Sequence, residues 1–140
     1  MREILFRGKR ADNGEWVEGQ LLYFKSSVGT NELALIVEGC EWDNSTEWFN
    51  LGKRAKVIPE TVGQFTGLLD KNSKKIFEGD IVRCEIEYDV GCYPHTETYT
   101  GTVMYEGGMF HPLCVHCDTK KVEVLGNSWD DPEEMEELNP

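Results

Sequence analysis

Cysteine and histidine come closest together in Cys114-Val115-His116-Cys117, with His111 three residues upstream of the first thiol. Thiolates and imidazoles at such spacing suit a tetrahedral zinc site, which needs four ligands. One Cys-x-x-Cys supplies two. His111 or His116 would add a third, and Cys92 or His95 a fourth if their loop folds over that strand end. A single pair without a second is a weak signal, and ordinary strand and turn residues explain it better. No cofactor is therefore expected, with zinc at Cys114, Cys117, His111 and His116 as the candidate exception. Redox chemistry by the same cysteines has less behind it than a metal.

Hydrolysis needs a nucleophile beside a base. Ser26, Ser27 and Ser45 stand in polar stretches, and the chain has no Gly-x-Ser-x-Gly. A Walker A loop needs Gly-Lys-Ser/Thr before a helix, whereas Gly101 and Gly107-Gly108 lie in a predicted hairpin without that lysine. The reading leans away from an enzyme and names no catalytic residue.

With these groups set aside, charge and length bound the rest. The chain has 140 residues, enough for one domain or two small subdomains sharing a core. Fourteen Lys and Arg stand against 26 Asp and Glu, a formal net charge of -12. Asp130, Asp131, Glu133, Glu134, Glu136 and Glu137 crowd the end without a base among them. The basic clusters Arg7-Lys9-Arg10, Lys53-Arg54-Lys56, Lys71-Lys74-Lys75 and Lys120-Lys121 are short and scattered, so duplex nucleic acid is disfavoured as a partner. No apolar run reaches the roughly 18 residues of a membrane span. The start, Met1-Arg2-Glu3-Ile4-Leu5-Phe6-Arg7, lacks the long apolar stretch of an export signal, which leads us to expect a cytoplasmic chain. Five cysteines, an odd number, then read as thiols rather than a disulfide framework.

The pattern along the chain is strand and turn. Ile4 to Arg7 and Trp16 to Phe24 flank Asp12-Asn13-Gly14 as a hairpin, and Leu33 to Val37 continues the strands. Trp48-Phe49 and Val57-Ile58 are predicted as short edges around a polar loop, and Pro59 ends the first part. This gives an N-terminal β-hairpin subdomain over residues 1–59 and a second unit over 60–140. The second has strands at Ile76-Phe77, Ile81 to Tyr88, Thr100 to Glu106, Met109 to Val115 and Lys121 to Leu125, with a loop around Gly91 and Pro94. Short strands at this spacing predict a small barrel. A two-turn helix is predicted at the end, with Asp131 as cap, Pro132 in the first position and Glu134 completing a capping box.

Several stretches together resemble the YopX family of phage and prophage proteins. They are Met1 to Arg7, Val62 to Val82, Gly101-Thr102-Val103-Met104-Tyr105 with Gly108-Met109-Phe110, and Val122 to Asn127 followed by Asp131 to Met135. The most specific is Gly63-Gln64-Phe65-Thr66-Gly67-Leu68-Leu69 with Glu78-Gly79-Asp80-Ile81-Val82. The resemblance implies a mainly β protein, its C-terminal part an SH3-like barrel, encoded by a phage, prophage or other mobile element. It implies no reaction. Gly63, Gly67, Gly79 and Gly126 read as turn or bulge positions, where glycine reaches positive φ at no steric cost, and Asp80 as an acceptor for backbone amides in its turn.

Binding is then the expected mode of action. Trp42, Trp48 and Phe49 lie in a polar stretch with no clear period, as candidates for a protein-partner surface, against the alternative that they roof a small core. An unknown protein partner leads, self-association is a second route, and a nucleic-acid-binding barrel or a zinc site are the alternatives.

Overall fold

The computed structural model describes residues 1–113 and 118–133. Strands make up 62% of it in several antiparallel sheets, so the chain is mainly β. It divides into two compact units, Met1–Phe65 and Thr66–Pro140, and the chain passes from one to the other inside a strand.

The first unit holds β1 (Phe6–Lys9), β2 (Trp16–Lys25), β3 (Glu32–Asp43), β4 (Trp48–Val57) and the start of β5 (Gly63–Leu69), in sheet order β4-β3-β2-β1-β5. The first turn is made by its own chemistry. Asn13 Oδ1 accepts the Glu15 N–H at 3.0 Å, and Gly14 takes φ 73°. Strand β2 pairs with β1 from Trp16 to Gly19 and with β3 from Gln20 to Lys25. Gly19 stands where the partners change. A Cβ there would lie 2.2 Å from the Val37 carbonyl oxygen, so only glycine lets β2 cross so close. Val17, Ala34, Ile36, Ala55 and Val57 form the buried cluster, with Phe6, Leu21 and Val62 against it.

The sheet bends back on itself at one end. Arg10 bridges Val57, the Ala11 N–H donates to the Lys56 carbonyl at 2.9 Å, and the Ile58 N–H to the Lys9 carbonyl at 2.9 Å. The other half of β4, from Trp48 to Arg54, is an edge with no strand beyond it among the described residues.

The second unit continues β5 and adds β6 (Lys75–Phe77), β7 (Asp80–Val90), β8 (Tyr93–Thr102), β9 (Met104–Glu106), β10 (Met109–His111) and β11 (Val122–Asn127). β11, β7 and β8 form one sheet, β10 and β9 another, and β6 follows β5. Ile76, Val82, Cys84, Val103, Leu113 and Val122 are its buried cluster. Burying about six such side chains is worth on the order of 10 kcal/mol before chain entropy is counted.

Two expectations are corrected. The polar stretch between Val37 and Val57 is a pair of long strands, not a loop with short edges: Asp43 faces Trp48 and the register holds to Ala34–Val57. Cross-strand bonding carries residues that composition alone assigns to a loop. Likewise Pro94 stands inside β8 rather than in a loop, which fits a strand at the edge of its sheet. The helix expected from Asp131 lies, beyond Glu133, outside the described residues.

Candidate binding site

The outer half of the β3–β4 hairpin is an arm that displays aromatic rings to solvent. Trp42 is 56% exposed, Trp48 67% and Phe49 54%, so none of them roofs a core. Trp42 and Phe49 are cross-strand partners with stacked rings, centroids 6.3 Å apart. The tip is ordered by local hydrogen bonds. Asp43 Oδ1 accepts the Ser45 N–H at 2.8 Å and the Ser45 hydroxyl at 2.6 Å, which hold the Asp43 carboxyl below its usual pKa. The indole N–H of Trp42 donates to Asn44 and that of Trp48 to Asn50 at 3.3 Å. These bonds occupy the polar edges of the indoles, while the ring faces outside the Trp42–Phe49 stack stay open to solvent.

Below the tip runs an apolar groove. Strand alternation points Glu18, Gln20 and Leu22 away from the cluster that holds Val17 and Leu21. Val37, the partner of Gln20, shares their face. With Leu5, Cys40, Phe49 and Leu51 they line a groove of ≈ 610 Å³. The Gln20 side-chain amide donates to the Ile4 carbonyl at 2.8 Å and ties down the N-terminal segment beside it. Glu18 and Glu38 also line it, so the surface combines an apolar floor with carboxylates. Such a volume lies in the range of roughly 300–1,000 Å³ that takes a small molecule or a few side chains of a partner.

The metal candidates are not brought together among the described residues. His111 ends β10 opposite Met104 and is exposed, while Cys114, His116 and Cys117 lie outside the described residues. Cys92 and His95 stand at the far end of the β7–β8 ribbon, where His95 packs edge-on against Tyr88 at 5.1 Å. About 30 Å of strand separates that tip from Thr102. No group of three or more His, Cys, Asp or Glu that could hold a metal ion occurs among the described residues.

The turn residues act by distinct means. Gly67 and Gly79 take φ of 87° and 86°. Gly63 lies in β5 opposite Arg7, and Gly126 marks a register shift between β11 and β7, where an added Cβ would lie 2.3 Å from the Asp131 carboxylate. Positive φ is therefore the reason for two of the four, and close approach for Gly126. Asp80, 1% exposed, accepts the Phe77 N–H at 2.8 Å. Composition did not single out Asp70, which plays the larger part. Its carboxylate accepts the N–H groups of Asn72 at 2.8 Å, Lys74 at 2.9 Å and Val124 at 3.0 Å. Burial raises its pKa, but these three donors and the Lys74 charge outweigh that, and it lies below the usual carboxylate value.

Residues 5–136 match the family described as YopX protein. The chain belongs to the YopX family. A crystal structure of protein EF1440 from Enterococcus faecalis has a similar fold, with TM-score 0.61 and 20% identity over 96% of this chain and 99% of that one. No curated protein matches. For this YopX-family chain, as for its neighbour, the likeness speaks of fold. No helix among the described residues is long and apolar enough to cross a membrane.

The groove residues Leu5, Leu22, Val37, Cys40 and Leu51 were missed by sequence reasoning. The available signal was the mirrored alternation of Cys40 and Trp42 with Phe49 and Leu51 about a polar turn.

Proposed function

We propose that this chain is a non-enzymatic accessory protein of phage or prophage origin, acting in the cytoplasm of a bacterial host by binding protein through the β3–β4 arm. The observation that carries the reading is the exposed Trp42–Phe49 pair beside the apolar groove that Phe49 lines, with Trp48 exposed on the opposite face of the arm, because aromatic rings next to an apolar pocket are the usual anchors of protein interfaces. The second unit is read as an SH3-like small barrel closed by a short helix from Asp131. Its antiparallel strands around one cluster support the barrel reading. That unit carries six Lys and Arg against sixteen Asp and Glu, which steers basic partners toward it.

The test uses tagged chain co-expressed with an untagged copy in a bacterial host, captured after nuclease treatment. A near-stoichiometric protein, foreign or the untagged copy, is expected, and Trp48→Ala with Phe49→Ala should remove it. Bait that recovers neither overturns the reading.

One observation favours a second reading, nucleic-acid binding. Lys53, Arg54 and Lys56 are exposed on the same strand as Trp48 and Phe49, a basic strip beside stacking surfaces. Retarded migration of labelled single strands at physiological salt supports it, and no shift at micromolar protein discards it.

A further inference from the structure

The outer face of the first sheet is apolar where a face turned to water is ordinarily polar. Ala34, Ile36, Ala55 and Val57 belong to the buried cluster, so alternation turns their neighbours outward. The register is unbroken between Gln20–Val37 and Phe24–Leu33, and between Ala34–Val57 and Val37–Arg54. It sets two rows across β2, β3 and β4, Gln20–Val37–Arg54 and Leu22–Leu35–Lys56, with a third, Phe24–Leu33, beyond them. Leu22 and Leu35 are half-buried, Phe24 is 57% exposed and Leu33 37%. The rows run into the groove, which Leu22 and Val37 also line.

Both complete rows end in a cation. Arg54 and Lys56 are exposed and make no ion pair among the described residues. Two apolar columns beside two open cations are complementary to a segment with an apolar stripe and carboxylates along one flank. The first unit does not repel such a segment as the second would: residues 1–65 carry eight Lys and Arg against ten Asp and Glu. Here β3 is bonded on both sides, by β2 and β4, so a partner must be read through side chains and not through strand addition. The span from β2 to β4 is about 10 Å, the width of one helix, and Gln20 to Phe24 extends about 13 Å, or about nine helical residues. Arg54 and Lys56 stand about 6.6 Å apart along β4, which suits acids at i and i+4 of a helix. Nucleic acid fits less well, because the rows beside the cations are aliphatic and offer bases no stacking platform except Phe24.

We propose that this face seats an acidic amphipathic helix of a partner protein, with its apolar stripe on Leu22, Leu35, Phe24 and Leu33 and its carboxylates on Arg54 and Lys56. The proposal rests on the reading of the chain as a protein-binding module and gives the partner its chemistry.

The test selects random displayed peptides of about twelve residues on the full chain. Enriched sequences should repeat apolar residues at i, i+3 or i+4 and i+7, with at least two Asp or Glu on one flank. The best of them, made synthetically and followed by fluorescence anisotropy, should lose at least about tenfold in affinity with Phe24→Asp and with Arg54→Glu plus Lys56→Glu. Circular dichroism of both variants should match the parent, since all three residues are exposed. Replacing the peptide's acids by lysine should restore binding to the Arg54→Glu, Lys56→Glu chain, a rescue that damage to the fold would not allow. Enriched peptides without acids, no enrichment, or binding indifferent to both variants overturns the proposal. Peptides released by Trp48→Ala with Phe49→Ala but not by Phe24→Asp overturn it while leaving the arm as a binding surface. Retention of a labelled single strand through Arg54 and Lys56, with no peptide selected, overturns it in favour of phosphate.

Discussion

The β3–β4 arm and the β7–β8 ribbon are built alike and charged differently. Both are long antiparallel hairpins rooted in a buried cluster, Ile36 at the base of one and Cys84 at the base of the other, and both carry exposed apolar residues outward. On the ribbon Ile86, Tyr88 and Val90 share a face with Tyr93 and Tyr99, and Glu85, Glu87 and Asp89 take the other. Glu87 is tied to Lys121. On the arm the inner strand carries Glu38, Glu41 and Asp43, and the open edge carries Lys53 and Arg54 with no proline. A two-stranded ribbon is marginal in water by itself, so both are held by their roots. What separates them is the edge strand: β8 carries Pro94 and Glu97, whereas the outer half of β4 carries Lys53 and Arg54 and has no strand beyond it among the described residues.

The contrast between root and tip can be broken most severely at the roots. Ile36→Ala empties a fully buried position and should cost about 3 kcal/mol, read from denaturant unfolding, where a loss under about 1 kcal/mol would mean that the arm is not anchored there. Next comes Asp70→Asn, which puts an amide NH₂ where one of three N–H donors needs an acceptor and should cost about 1–3 kcal/mol. The pH dependence sharpens this. The folded pKa of Asp70 lies below the unfolded value, so the unfolded chain binds more protons between the two, and stability rises with pH through that window. Its contribution is complete above the unfolded value near 3.9 and is lost as pH falls through the folded one. The Asn variant should lack that part of the acid loss, and an unchanged profile would contradict the assignment.

Smaller effects test the charge contrast. Lys53→Glu with Arg54→Glu makes the open edge of the arm acidic and should weaken capture of a partner while moving unfolding by less than about 1 kcal/mol. The smallest effects belong to the tips: Trp48→Ala and Tyr93→Ala should each stay within about 0.5 kcal/mol of the parent in stability. If Trp48→Ala costs as much as Ile36→Ala, the ring is structural and the arm is no binding surface.

Much of the local structure was legible because its causes are local. Asp12-Asn13-Gly14 and Gly79-Asp80 make their turns through side-chain acceptors and positive φ within a few residues. The family, too, was legible, since the run from Gly63 to Val82 is specific and residues 5–136 match. The arm was not. Glu38 to Lys53 reads as a polar loop, because an exposed ribbon has no buried face to impose alternation, and only the pairing of Asp43 with Trp48 shows the register. The groove gathers Leu5, Leu22 and Leu51 from distant parts of the chain, which no window of sequence joins.

The sequence by itself determined the β class, the turns, the acid balance between the halves and the family, because propensity, turn chemistry and charge act over a few residues or by simple count. Tertiary structure alone decided that Gly19 is a crossing point, that Asp70 joins its own turn to Val124, and that half of β4 is left without a neighbour. Which backbone groups remain unpaired depends on where every strand ends up, and that is fixed by long-range pairing rather than by the residues of the edge itself.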